Sequence, residues 1–85
     1  MEYYSNIRKK GAQMMNEDIK ISYAKLREIL TERKITWEEV RSATGISPTV
    51  HAKINKNQYV SLKSMALIAH FLKVQIGDLV EIKYS

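Results

Sequence analysis

The apolar positions of the chain fall into short blocks, each with its own period. Ile19, Ile21 and Tyr23 alternate with polar residues, and so do Val80, Ile82 and Tyr84. A period of two marks a half-buried strand. Two such segments at opposite ends can pair antiparallel and tie the ends together, provided that they lean on helices. Between them the period lengthens to that of a helix. Leu26, Ile29 and Leu30 form one stripe, with Arg27, Glu28, Glu32 and Arg33 outside it. This predicts a first helix from about Tyr23 to Lys34, with Ser22 as its N-cap.

The second helix has the clearest start. Thr36 followed by Glu39 is a capping box, and Ile35 with Val40 makes a hydrophobic staple. Val40, Ala43 and Thr44 are expected to face inward, and Gly45 to end the helix with a positive φ. Ser47 then caps a third helix with Pro48 at its first position, where a missing N–H costs nothing. Ile54 is its inward residue, and Asn57 tolerates the left-handed turn that stops it. Ser61 caps a fourth helix, with Val60 and Met65 as a second staple. Its expected buried face is Leu62, Met65, Ile68, Ala69 and Leu72. Val74, Ile76, Leu79 and Val80 suggest a short fifth helix or turn closing the core. The expectation is an all-α, compact bundle of four to five short helices, with a small antiparallel strand pair joining the termini as an addition.

The chain of 85 residues allows one domain. Residues 1–18 show neither period and read as a flexible N-terminal extension, leaving residues 19–85 as the folded unit. The Arg8-Lys9-Lys10 cluster in that extension reads either as solvated chain or as a basic arm for phosphate or the minor groove. Cysteine is absent, which excludes disulfides and thiolate metal sites and suits a reducing, cytoplasmic setting. No apolar run approaches the roughly 18 residues of a membrane span. Net charge is +5, from 14 Lys and Arg against 9 Asp and Glu, spread evenly along the chain. This favours an acidic partner only mildly.

No catalytic constellation emerges. Glu38 and Glu39 are adjacent, point about 100° apart on a helix and cannot converge as an acid–base pair. The three glycines are scattered, so no phosphate-cradling loop exists. His51 and His70 lack the company that a metal ion needs. The expectation is a non-enzyme without metal, cofactor or small-molecule substrate.

The stretch from Thr36 to Asn57 carries more information. Two short helices meeting across a tight turn at Gly45-Ile46-Ser47 is the layout that pushes a helix into a DNA groove. With LREIL before it, T-W-E-E-V, G-I-S and A-K-I within it, and SLKSMALIAHFLKVQIGDLV after it, the chain resembles the Cro/lambda-repressor-like (XRE) helix-turn-helix family. The likeness covers about Tyr23 to Val80. It implies a sequence-specific double-stranded DNA-binding transcriptional regulator, of repressor type, that reads the major groove with the third helix, about residues 47–56. Carried over position by position, Pro48, Thr49, Ala52 and Lys53 would read base edges. Trp37 and Ser47 would lie near the phosphate backbone, and Lys56, Asn57 and Gln58 would approach phosphates after the recognition helix.

Three residues depart from the family's pattern. Trp37 stands where glutamine is usual, Arg41 where alanine lets the two helices approach, and His51 where isoleucine or valine points inward. Either His51 packs with a satisfied ring nitrogen, or the third helix rotates so that Val50 takes the pocket. Leu67 and Phe71, four residues apart on the fourth helix and off its buried face, are candidate homodimer contacts or are covered by another part of the chain. A second reading is therefore a protein-interaction module on the same fold, such as an antitoxin-like or anti-regulator partner, using Trp37, Leu67 and Phe71.

Overall fold

The computed structural model describes residues 19–84. The extension expected over residues 1–18, with its basic cluster, lies outside them. The elements run β1 (Ile19–Ser22), α1 (Ala24–Arg33), α2 (Trp37–Thr44), α3 (Pro48–Asn55), α4 (Leu62–Leu72), a 3-10 turn (Ile76–Asp78) and β2 (Glu81–Tyr84). Four helices and a closing turn match the expected bundle, and the strand pair is present. Ile19 faces Tyr84, Ile21 faces Ile82, and the strands run antiparallel. The two ends of the described segment are thereby held together. The segment expected to form a short fifth helix or turn makes a 3-10 turn, whose Leu79 end plugs the core.

The core is one cluster: Tyr23, Leu26, Leu30, Val40, Ile46, Ile54, Met65, Ile68, Ala69, Leu72 and Leu79. Each helix contributes one stripe, as the periods implied. Ala43 and Leu62 are exceptions. Val40 is fully buried and Trp37, Arg41 and Thr44 are half-buried, whereas Ala43 is exposed. At about 100° per residue, Trp37 and Thr44 lie to one side of Val40 and Ala43 to the other. The buried sector of α2 is therefore rotated toward Trp37, away from Ala43. Leu62 is 72% exposed because it is the first helical residue of α4 and overhangs the end of the core.

The caps explain why the helices are so short. Thr36 Oγ1 accepts from Glu39 N–H at 3.1 Å, and the Glu39 carboxylate accepts from Thr36 N–H at 3.1 Å. Ser47 and Ser61 accept from Val50 N–H and Ser64 N–H at 3.2 and 3.1 Å. The cap of α1 differs from expectation. Tyr23, not Ser22, occupies the N-cap position and its side chain makes no cap bond. Tyr23 is drawn into the core, so its backbone starts the helix, while Ser22 Oγ accepts from Ala24 N–H at 3.3 Å.

Three helices are followed by a left-handed residue other than glycine: Lys34 (φ 57°), Asn57 (φ 55°) and Lys73 (φ 60°). In each, the next N–H reaches back five residues, from Ile35 to Leu30 O, Gln58 to Lys53 O and Val74 to Ala69 O. This satisfies carbonyls that a helix end would otherwise leave open. Ile35 and Val74, placed just past the turn, then pack onto the core.

Candidate nucleic-acid interface

Gly45 ends α2 at φ 77°, a conformation that costs glycine little, and its N–H donates to Arg41 O at 2.8 Å. Ile46 follows as a buried anchor and Ser47 starts α3. The two helices thus meet across three residues and share the core through Val40 and Ile54. Ile54 is fully buried and defines the inward direction of α3. At about 100° per residue, Thr49 and Ala52 fall opposite it and Lys53 on the flank, with Lys56 just past the last helical residue. Each is exposed, as are Ser47 and Pro48. The outward face is a strip of small or cationic side chains about two turns long, with Ala52 leaving space at its centre.

His51 and Val50 straddle the Ile54 direction. Val50 packs on the core, and His51 turns toward α2. Both alternatives left open by the sequence are therefore partly realised. The His51 ring stacks on Trp37 with centroids 4.3 Å apart and planes 21° apart. Its Nδ1 lies 2.8 Å from Arg41 Nη1. A guanidinium only donates, so Nδ1 accepts and the neutral ring carries its proton on Nε2. Burial, and then the Arg41 charge, push the His51 pKa below its ordinary value.

The far end of α3 is held from α1. Arg27 Nη1 donates to Ile54 O and Nη2 to Asn57 Oδ1, both at 3.2 Å. Asn57 Oδ1 also accepts from Tyr23 N–H at 3.2 Å, and the Tyr23 hydroxyl donates to Gln58 O at 2.7 Å. Burial raises the Tyr23 pKa. Asn57 was expected to approach phosphate. Its carbonyl oxygen is committed to the domain by these bonds. Lys56 and Gln58 have exposed side chains beside it. Sequence reading missed Arg27 and Tyr23 as supports, because the partners are 27 to 35 residues apart and share no local pattern.

Leu67 is 37% exposed, whereas Phe71 is half-buried and packs on the core. The pair expected to form a dimer contact is therefore split, with Leu67 the more open member. Among the described residues no group of three or more His, Cys, Asp or Glu is placed to hold a metal ion, and no helix is long and apolar enough to cross a membrane.

A capped helix, a left-handed turn and a second helix whose polar face points away from the core define a helix-turn-helix unit. Residues 25–84 match the Cro/C1-type helix-turn-helix DNA-binding domain, and the chain belongs to that family. It is also similar to a crystal structure of the transcriptional regulator VanUg. The two are 34% identical, with a TM-score of 0.75 over 80% of this chain and 91% of that one. No curated protein matches the sequence.

Proposed function

We propose that this protein is a sequence-specific transcriptional regulator of repressor type that lays α3 in the major groove of double-stranded DNA. The observation that carries this reading is the outward strip on α3, exposed and free of acidic side chains, opposite the buried Ile54. Lys53 donates to guanine O6 or N7, and Thr49 offers a hydroxyl for either role and a methyl for thymine. Pro48 and Ala52 let the helix come close. The exposed N–H groups at the starts of α2 and α3, beside Trp37 and Ser47, favour phosphate. Lys56, Gln58 and the Asn57 amide extend that contact past the helix end. Occupying an operator is enough for repression, so the mechanism requires neither cofactor nor small-molecule substrate, and its setting is the cytoplasm.

Selection from random duplexes tests this directly. A single enriched motif is expected, and enrichment of no motif at low salt defeats the reading. On the selected duplex, Lys53→Ala is expected to cost about 1–3 kcal/mol and to relax preference at one base pair. A homodimer, formed through the Leu67 side of α4, would place two half-sites about 34 Å apart, one DNA turn. A protein-interaction module on this fold has weaker support. Trp37 and Phe71, two of the groups that suggested it, are engaged within the domain by His51 and the core.

A further inference from the structure

The three departures from the family pattern are one contact. Trp37 and Arg41 stand a turn apart on α2, and His51 of α3 lies between them, stacked on the indole and bonded to the guanidinium. The far end of α3 is tied to α1 by Arg27 and Tyr23. The Trp37–His51–Arg41 contact grips its first two turns, which carry Thr49 and Lys53. The remaining charges on these helices are committed or turned away. The Glu39 carboxylate is bound to Thr36, and Glu38 and Lys53 are exposed. Arg41 is therefore the charge that acts on the ring.

We propose that Trp37, His51 and Arg41 form a positioning brace that fixes α3 against α2, and that the brace holds the reading face in register only while His51 is neutral. The proposal rests on the DNA-binding reading above. A second proton on His51 would set N–H against N–H and place two cations in contact. Burial and Arg41 already hold the His51 pKa down. For a base whose folded pKa is lowered, the stabilisation is complete above its ordinary value of about 6.5 and is lost as pH falls through the folded value. A direct His51–phosphate contact would behave oppositely, because phosphate favours imidazolium and affinity would then rise as pH falls.

The test is affinity for the selected duplex between about pH 7.5 and about pH 5.5, the span in which histidine titrates. Wild type is expected to weaken severalfold toward the acid end, approaching the tenfold limit that about one pKa unit of difference between the free and bound states sets at pH values well below both. His51→Asn places an oxygen acceptor where Nδ1 stood and does not titrate, so its affinity is expected to stay level with pH. Circular dichroism over the same span is expected to keep its helical signal. A level or rising wild-type profile overturns the brace, and so does acid unfolding of both proteins. A second measurement uses free protein. Arg41→Met is expected to raise the His51 pKa followed by NMR, and an unchanged value overturns the contact. Failure of the wild type to bind any duplex at about pH 7.5 would overturn the DNA reading. The NMR measurement would still decide whether the brace exists.

Discussion

Asn57 shows how one side chain serves two elements. Its left-handed backbone ends α3, and its Oδ1 takes hydrogen bonds from Tyr23 N–H and Arg27. Asn57→Ala removes the acceptor and puts alanine in a left-handed conformation that asparagine tolerates better. A loss of about 1–3 kcal/mol is expected in urea unfolding. Asn57→Gly should recover the backbone part alone. If the Asn57 side chain acted only on DNA, Asn57→Gly would be no less stable than wild type and Asn57→Ala would show the backbone part alone. Its left-handed turn was legible in the sequence, because asparagine is one of the few residues that accept it. Its partners were not, because hydrogen bonds to residues 30 and 34 positions away leave no periodic trace.

Among the helices, starts were easier to read than ends. Thr36, Ser47 and Ser61 cap as their side-chain chemistry dictates, since an oxygen near the first free N–H groups satisfies them. Two helices end at lysines, Lys34 and Lys73, in a conformation for which lysine has no preference. Tertiary packing imposes these ends, by placing Ile35 and Val74 against the core. Lys34→Gly and Lys73→Gly are therefore each expected to raise stability by up to about 1 kcal/mol, read as a higher urea midpoint. Gly45 is the converse. An added β-carbon there meets nothing within 4 Å, so Gly45→Ala should cost only the backbone strain of about 1–2 kcal/mol. Gly45→Asn should cost less than Gly45→Ala. Equal losses would mean that the turn relaxes to another conformation.

Across the whole molecule, β1 and β2 close the chain on itself, and α1 and α4 lock at their ends through Arg33, whose Nη1 donates to Leu72 O at 2.6 Å. Helix α3 is thus carried on a frame tied by the strand pair and by Arg33. The net charge of +5 is spread along the chain, so charge alone gives only modest attraction to DNA, and the proposed α3 contacts would have to be local. Affinity is expected to fall linearly with salt on logarithmic axes. If Lys56 reaches a phosphate, replacing it by alanine should make that slope shallower by about one. An unchanged slope in this variant would place the phosphate contacts elsewhere on the domain.

Period, caps and turn residues lie within a few positions of one another, and they already prescribe four short helices, a tight turn after Gly45 and a strand at either end. These features depend on local sterics and on which face of each segment is apolar, both of which are written into neighbouring residues. The rotation of α2 toward Trp37, the support of α3 by Arg27 and Tyr23, and the meeting of Trp37, Arg41 and His51 emerge only once the helices pack. Each depends on distances between segments far apart in the chain, and those distances are set by how a shared core fills.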